Sequence, residues 1–227
     1  MADFPPLKRI RWSHAYRIVP SRFPPVGVFD RIAEPGDLEA LYRIEAMTNP
    51  RLRNEIGELQ LVPPERRVSG PGTTPVMAAF THLNPEGSRF SDGSWGVFYA
   101  GHSVATAVEE TVYHRERFLA ATAEPPCDIE MRCYRTSIQA RLHDLRGGWK
   151  AEHDPDNYAA GIALARRLRA DGSDGLVYDS VRHRGGECVA VFYPDRVGPC
   201  TQAQHLMYRW DGKCIAQVLT VDEWKRG

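Results

Sequence analysis

Short runs of β-branched and aromatic residues, each closed by glycine, proline or a polar turn, constrain the fold of this chain more than any other feature. Residues of these types favour strands. The runs are "YRIV" (16–19), "GVFYAG" (96–101), "IEMRCYRTSI" (129–138), "ARLHDL" (140–145), "GLVYDSV" (175–181), "CVAVFYP" (188–194), "HLMYRW" (205–210) and "KCIAQVLTV" (213–221). The last two flank Asp211-Gly212, a dipeptide typical of hairpin turns, so we expect mostly antiparallel pairing.

Two segments show helical periodicity instead. Residues 103–122 begin with Ser103, a residue type that favours a helix N-terminus, and then repeat apolar residues at helical spacing. The apolar positions are Val104, Ala107, Val108, Val112 and Leu119. Glu110 and His114 lie four residues apart on the flank of that face. A second helix is expected over 157–175, where a glycine ends it. Because strands outnumber helices, the sequence predicts an α+β fold.

Residues 27–80 differ in composition from the strands around them. They hold a charged helix candidate at 37–59, interrupted by Pro50, and a connector rich in proline and glycine at 62–75. Segments of this kind usually lie on the surface, so we predict one domain over 1–227 with an insertion or lid at 27–80. The alternative is a flap that covers apolar core surface or builds a dimer.

The charge balance and the cysteines argue against several classes of protein. Lys and Arg total 29, and Asp and Glu total 29, so no overall field would attract nucleic acid or an acidic membrane. The five cysteines form no C-x-x-C pair and the eight histidines lack ligand spacing, so we expect neither disulfides nor a metal site. The first residues do not resemble a signal peptide, and no apolar run approaches the ~20 residues of a membrane helix. We therefore expect a cytoplasmic protein without a membrane anchor.

Common catalytic motifs are absent from the sequence, which contains no G-x-G-x-x-G, no Walker-type phosphate loop, no H-E-x-x-H and no G-x-S-x-G. The signals of a dinucleotide-fold dehydrogenase, a P-loop enzyme and a zinc peptidase are therefore missing. What remains is a set of polar residues at strand and helix edges, namely Arg17, Arg89, Tyr99, Glu110 and Ser180. Taken singly, each of them is more typical of a structural role than of a catalytic one.

Taken together, these residues form a pattern that extends over nearly the whole chain outside 24–81. Its elements, in chain order, are Tyr16-Arg17-Ile18 in an early strand, the pair Arg89-Phe90, a strand with Tyr99, a helix with Ser103, Glu110 and His114, the strand "GLVYDS" ending in Ser180, and "RHRGGECVAVFYP". The spacing of ten residues from Arg89 to Tyr99 and of eleven from Tyr99 to Glu110 belongs to the same pattern. In this combination, the sequence resembles the RES-domain family.

The resemblance implies an ADP-ribosyltransferase-like fold, similar to that of diphtheria toxin. It also implies a toxin of a bacterial toxin–antitoxin module, whose Xre-type antitoxin blocks the active site. RES-domain proteins consume NAD+, and one branch of the family transfers ADP-ribose to a protein. The resemblance therefore predicts an NAD+-dependent ADP-ribosyltransferase that needs no metal, binds no nucleic acid directly and inhibits bacterial growth.

Cleavage of the nicotinamide–ribose bond of NAD+ expels a neutral leaving group and leaves positive charge on the ribose. One carboxylate held near the sugar can stabilise that transition state. We assign this role to Glu110, with the adjacent Glu109 as the rival. Tyr99 is expected to stack against the nicotinamide, and Arg17 and Arg89 are expected to bind the diphosphate through their guanidinium groups.

Ser180 and His114 complete the predicted site. Ser180 is expected to hydrogen-bond the ribose or to orient Glu110, with a hydroxyl that only satisfies a local turn as the alternative. His114 is expected to be a structural neighbour of Glu110 and not a catalyst. The predicted catalytic set is thus Glu110, Tyr99 and Arg89, and the predicted NAD+-binding set is Arg17, Arg89, Tyr99 and Ser180.

Three alternatives remain open from the sequence. The NAD+ could be hydrolysed or phosphorolysed, because water and phosphate attack the same sugar carbon as a protein acceptor. An RNA-cleaving toxin is the second alternative, although the balanced charge argues against an RNA-binding face. A module that binds a ligand without turnover is the third. We also expect residues 27–80 to govern the choice of acceptor and not NAD+ cleavage.

Overall fold

The structure, a computed structural model, describes residues 4–21, 30 and 57–221. Its strands are β1 (Leu7–Pro20), β2 (Phe98–Gly101), β3 (Cys127–Asp144), β4 (Gly175–Asp179), β5 (Glu187–Val191), β6 (Thr201–Trp210) and β7 (Ile215–Val221). Its helices are α1 (Thr74–Thr81), α2 (Val104–Ala121) and α3 (Ala159–Ala170), with short 3₁₀ turns at Leu59–Leu61, Pro64–Arg66 and Pro194–Arg196. The predicted α+β class is confirmed.

The described strands form one sheet in the order β1-β2-β5-β4-β3-β6-β7, in which β3 and β4 are the parallel pair. β1 also pairs with β3, from Leu7 opposite His143 to Pro20 opposite Met131. This second pairing closes β1, β2, β5, β4 and β3 into a ring, and closure satisfies backbone groups that an edge strand would expose. β6 and β7 extend the sheet beyond β3 as a hairpin. The prediction of mostly antiparallel pairing is confirmed.

Alternate residues of the ring strands point inward and form the core of the ring. Every ring strand contributes to this buried set, which comprises Ile10, Trp12, Ala15, Phe98, Ala100, Tyr134, Ile138, Ala140, Leu142, Val177, Val189 and Val191. α1 packs against the same set with Val76, Met77 and Phe80, and Leu59 and Val62 from the segment before α1 join it. The ring interior is therefore filled by strand side chains and closed by α1.

Parts of the segment at 57–80 thus reach the core, since Val76 is fully buried, whereas Glu65 and Pro71 are exposed. This burial fits the alternative of a flap over apolar core surface, and the insertion or lid at 27–80 stays a prediction. Proline suggested a loop here, but Pro75 occupies the first turn of α1, where a missing N–H costs no hydrogen bond. Residues 31–56, with most of the charged helix candidate, lie outside the described residues.

Two helices cover the outer side of the ring. α2 packs over β1, β3 and β6 through Ala107, Val108 and Val112, as its apolar spacing predicted. α3 packs over β4 and β5 through Leu164 and Leu168. Between residues 57 and 221 and in the described N-terminal part, no helix is long and apolar enough to span a membrane.

The predicted strands are found, with differences in length. β1 begins at Leu7, well before the predicted run at 16–19. The two runs at 129–138 and 140–145 form the single strand β3. They join because Gln139 is exposed between buried neighbours, so the alternation of a strand continues through it.

Candidate active site

Four of the five predicted site residues come together on the outer side of the ring. They are Arg89 in the loop before β2, Tyr99 on β2, Glu110 on α2 and Ser180 directly after β4. Tyr178 on β4 lies near three of them. Its pKa is raised well above the usual value, first by burial and then by Cys188, Glu110 and Tyr99. The positive charge of Arg89 acts on the same phenol in the opposite direction. We call this place the cleft, defined by Arg89, Tyr99, Glu110 and Ser180.

Ser180 fixes the carboxylate of Glu110. The Ser180 hydroxyl donates a hydrogen bond of 2.6 Å to Glu110 Oε1, and it accepts the backbone N–H groups of Arg182 at 3.2 Å and His183 at 2.9 Å. The turn after β4 therefore holds the hydroxyl, and the hydroxyl holds the carboxylate. Ser180 is buried and Glu110 is half-buried, whereas Glu109 is exposed. Glu110 is the acid that faces the cleft.

The first turn of α2 and the turn after β4 form one unit. Ser103 caps α2, because its Oγ accepts the N–H of Thr106 at 3.1 Å. Thr106 Oγ1 in turn lies 2.9 Å from His183 Nδ1 in the turn after β4. Gly186 permits this close approach, since a Cβ there would lie 2.7 Å from Thr106 Oγ1. The cap predicted at Ser103 thus fixes the start of α2 against the turn after β4. It thereby helps to position Glu110 on α2 next to Ser180.

Tyr99 is anchored at its hydroxyl, while its ring is half-buried. The hydroxyl accepts the backbone N–H of Phe90 at 3.0 Å and lies 2.8 Å from Ser88 Oγ. Burial raises the pKa of Tyr99 to about 12, so the phenol is uncharged at neutral pH. The ring also packs against the buried cluster that contains Phe90 and Tyr178, so its orientation is fixed.

Arg89 is buried and bound to a neighbouring loop. Its Nη1 donates to the carbonyl oxygens of Glu152 at 3.1 Å and Asp154 at 2.6 Å, and its guanidinium carbon lies 4.6 Å from the ring centroid of Tyr158. Gly161 at the start of α3 allows the helix to approach, since a Cβ there would lie 2.5 Å from the Arg89 carbonyl oxygen. Among the described residues, Nε and Nη2 of Arg89 have no hydrogen-bond acceptor, which leaves them available to a ligand.

Arg17, the fifth predicted residue, does not join the cleft. Its side chain lies on the inner side of the ring with Ala15, 5.0 Å from the ring centroid of Phe98. Its Nη1 donates to the backbone carbonyl of Tyr99 at 3.2 Å, and its Nε is buried without a partner among the described residues. Because β2 separates this guanidinium from the cleft, Arg17 supports the strand that carries Tyr99 and does not face Glu110.

Arg182 and the loop at 149–158 border the cleft, and neither of them was assigned a role from the sequence. Arg182 lies 3.3 Å from the ring centroid of Tyr113 on α2 and donates to the carbonyl of Pro155. The Tyr113 hydroxyl reaches Asp156 Oδ1 at 3.4 Å. The loop is therefore linked to Arg89, to Arg182 and to α2. The turn "RHRGGE" was visible in the sequence as polar, but only the folded chain shows that its arginine bridges α2 and this loop.

The rim of the cleft is positively charged. His114, one turn beyond the glutamate of α2, has its pKa lowered to about 4, first by loss of hydration and then by the charges of Arg182, Arg117 and Arg115. Those three arginines and Arg89 all act on the same imidazole. An anion that enters the cleft would therefore meet a favourable field.

Within the described ranges, no group of three or more His, Cys, Asp or Glu side chains is arranged to hold a metal ion. The groups that can bind a ligand in the cleft are the carboxylate, the phenol ring, the serine hydroxyl and the guanidinium groups already described. Such a set suits an organic ligand that carries phosphate, because guanidinium groups bind phosphate oxygens in pairs.

Comparisons with known proteins give the chain a family. The family model of the RES domain matches residues 64–211. An uncharacterized protein of Sinorhizobium fredii is 33% identical over 213 residues, which cover 92% of this chain and 87% of that protein. Among solved structures, a chain of the toxin–antitoxin complex MbcT-MbcA of M. tuberculosis aligns with a TM-score of 0.46 at 12% identity, over 90% of this chain and 87% of that one. The match and the relative together show that the chain belongs to the RES-domain family.

Proposed function

We propose that this RES-domain protein cleaves NAD+ at the nicotinamide–ribose bond and transfers ADP-ribose to a protein, on an ADP-ribosyltransferase-like fold. The single observation that carries the proposal is the half-buried carboxylate of Glu110, held by the hydroxyl of Ser180 at 2.6 Å. A fixed acceptor of this kind is what a developing positive charge on ribose requires. The resemblance of the sequence to NAD+-consuming RES proteins supports the same chemistry.

The carboxylate acts by electrostatics and hydrogen bonding. Nicotinamide leaves as a neutral molecule with both electrons of the C–N bond, so no acid has to protonate it. The positive charge that remains on the sugar is stabilised by Glu110, which accepts a hydrogen bond from a ribose hydroxyl. The acceptor then adds to the same carbon and loses a proton. Because the hydrogen bond from Ser180 holds the carboxylate before the substrate arrives, little reorganisation is needed.

The positive groups around the cleft are assigned to the diphosphate of NAD+. Arg89 offers Nε and Nη2, the two donors of a fork that binds phosphate oxygens in pairs. Arg182 is a second donor at the rim. Tyr99 is assigned to stack on the nicotinamide, because its ring is half-buried and its hydroxyl is fixed by Phe90 and Ser88. Arg17 is assigned to hold the carbonyl of Tyr99, which replaces the phosphate contact predicted from the sequence.

The core of the proposal is tested by incubating the purified protein with NAD+ and measuring free nicotinamide. We expect release that depends on enzyme concentration and is lost in Glu110→Gln. Release of nicotinamide no faster than in that variant would overturn the proposal. RNA degradation without NAD+ would replace it with the RNA-cleaving alternative, and tight NAD+ binding without turnover would replace it with a binding module.

The fate of the ADP-ribose is a separate measurement. Mass spectrometry of the products and of cellular proteins after brief expression separates transfer from hydrolysis and phosphorolysis. Transfer predicts a protein that gains one ADP-ribose group, whereas hydrolysis and phosphorolysis predict free ADP-ribose or its phosphate. We propose that the segment predicted at 27–80 chooses the acceptor, and the test replaces residues 31–56 of it, which leaves α1 and its contact with Asp30 in place. Their replacement by a short Gly/Ser linker should then keep nicotinamide release and abolish protein modification.

We also propose that the chain is the toxin of a toxin–antitoxin module, with an Xre-type partner. An uncontrolled NAD+ consumer harms its own cell, so a protein that blocks the cleft is required. The RES family resemblance supports a partner that combines a DNA-binding helix-turn-helix with an inhibitory segment. Expression of the chain alone should arrest growth, and co-expression with the neighbouring reading frame should restore it. Unhindered growth with the chain alone would contradict this part of the proposal.

A further inference from the structure

A second concave site lies away from the cleft, on the β1–β3 ribbon. It is a cavity of about 630 Å³ whose charged lining residues are Arg9, Arg11, Arg141, Arg196 and Asp174. Ser13 and Gln139 add polar groups, and Ile10, Trp12 and Ala140 line it as well. None of these residues belongs to the cleft. We call this cavity the arginine cavity.

Three of its arginines share one exposed face. Arg9 stands directly opposite Arg141 in the antiparallel ladder, and Arg11 stands opposite Gln139. All four side chains are exposed, because the alternate positions, such as Ile10, point into the ring. Opposed residues have Cβ atoms about 5 Å apart, and residues two apart on a strand are separated by about 6.6 Å. The three guanidinium groups can therefore converge on one compact ligand.

These three guanidinium groups have neither an ion pair nor a hydrogen bond within the described part of the chain. Other arginines nearby are paired: Arg66 with Asp174 and Asp195, and Arg146 with Asp144 and Glu187. Among the described lining residues, Asp174 is the one that carries a carboxylate, and Arg66 and Arg196 already share it.

The described lining residues, four arginines and Asp174, thus carry an excess of three positive charges in a chain with equal numbers of basic and acidic residues. Like charges opposed across strands destabilise a sheet. An arrangement that keeps Arg9 opposite Arg141 without a carboxylate is explained most directly by an anionic ligand.

We propose that the arginine cavity binds a small polyphosphate, such as the triphosphate of a nucleotide or inorganic tripolyphosphate. The cavity volume falls in the range of roughly 300–1,000 Å³ that is usual for small-molecule sites. The guanidinium fork matches phosphate oxygens in pairs, and three forks on side chains that leave the sheet about 5–7 Å apart suit adjacent phosphate groups better than the spread carboxylates of a peptide. The proposal does not depend on NAD+ cleavage in the cleft.

Isothermal titration of the full chain with sodium tripolyphosphate, ATP and adenosine tests the proposal. We expect one site for tripolyphosphate and for ATP, none for adenosine, and a melting temperature that rises with ligand concentration. In the double variant Arg9→Gln/Arg141→Gln, affinity should fall at least tenfold. Arg135→Gln is the matched control, since Arg135 is exposed on β3 outside the cavity, and it should bind as the wild type does.

The double variant should fold, because it removes a like-charge pair. Without ligand and at low salt, its melting temperature should equal or exceed that of the wild type by about 1–3 °C. Absence of anion binding by the wild type would overturn the proposal, as would binding that survives in the double variant. Affinity for single-stranded oligonucleotides that keeps rising with their length would replace it with a nucleic-acid groove. Equal binding of ATP and tripolyphosphate would identify the phosphates alone as the recognised group, and tighter binding of ATP would add a contact to the nucleoside.

Discussion

The two sides of β2 serve different ends. On the inner side, Phe98 is fully buried in the ring interior and lies under the guanidinium of Arg17. On the outer side, the next residue, Tyr99, is half-buried and borders the cleft with Glu110. Successive side chains of a strand point to opposite faces, so Phe98 faces the core of the ring and Tyr99 faces the cleft.

The ring can therefore carry polar groups on its outer side while apolar side chains fill its interior. The inner side chains touch one another and α1, so they stabilise the fold collectively. The outer polar groups are fixed by few, directed hydrogen bonds, such as the one from Ser180 to Glu110. Changes on the inner side should lower stability most, whereas changes of the polar groups around the cleft should lower activity with a smaller loss of stability.

The largest effect is expected from Phe98→Ala. Phe98 has no exposed surface, and truncation of a buried phenylalanine costs about 3–5 kcal/mol of unfolding free energy. Denaturant unfolding followed by circular dichroism measures the change. Tyr99→Phe is the outer-side control and should lose about 1 kcal/mol, for the hydroxyl contacts to Phe90 and Ser88. Comparable losses in both variants would contradict the division between the two sides.

Ser180→Ala should affect activity more than binding. The variant removes the hydrogen bond that holds Glu110, and a misplaced carboxylate can cost roughly 10²-fold in rate. We expect kcat for nicotinamide release to fall by about that factor while KM changes little. Unfolding measurements should show a loss of about 1–3 kcal/mol, because two backbone N–H groups lose their acceptor. A kcat equal to that of the wild type would show that the carboxylate needs no such support.

The pair Arg89→Lys and Arg17→Lys compares the outer arginine with the inner one. Both changes keep the charge and remove the planar fork. If Arg89 binds the diphosphate, its variant should raise KM for NAD+ roughly tenfold or more, as expected for a charge-assisted hydrogen bond. Arg17→Lys should leave KM within about twofold and lower the melting temperature, because its contact is the backbone carbonyl of Tyr99. An equal rise of KM in both variants would return Arg17 to the NAD+-binding set.

The smallest effect concerns His114. Folding lowers the pKa of His114 to about 4 from the ordinary value near 6.5, so protonation favours the unfolded chain. The contribution of His114 to stability is therefore lost as the pH falls from 6.5 to 4. An NMR titration should show this low pKa in the wild type. Arg182→Gln should raise it, because a positive neighbour is removed, and Arg135→Gln should leave it unchanged. A pKa of His114 that is the same in Arg182→Gln as in the wild type would mean that Arg182 supplies no positive field at the rim.

The elements of the fold follow closely from local patterns. The strands, the cap at Ser103 and the helix at 159–170 were all predicted because each depends on residues that are neighbours in sequence. α1 was missed, since Pro75 and the surrounding glycines resemble a loop, and its burial depends on a ring that no local window contains.

The residues of the site could be predicted only through the family resemblance, because no local pattern shows which polar residues come together. Arg89, Tyr99, Glu110 and Ser180 are brought together by the ring and by the unit that links α2 to β4. The side of the sheet that Arg17 faces depends on the pairing of β1 with both β2 and β3, which is a long-range property. The role of Arg182 likewise depends on a contact with Tyr113, which is about 70 residues away in the sequence.

The most direct test of the central claim compares two neighbouring acids. Glu110 faces Ser180 in the cleft, and Glu109 is exposed on the same helix turn, so Glu109→Gln controls for charge and for helix position. Nicotinamide release from NAD+ is measured for both variants at matched folded concentration. We predict that Glu110→Gln lowers kcat by about 10²–10³-fold, whereas Glu109→Gln stays within about twofold of the wild type. Equal activity of the two variants, or loss only in Glu109→Gln, would contradict the assignment of Glu110 as the catalytic carboxylate.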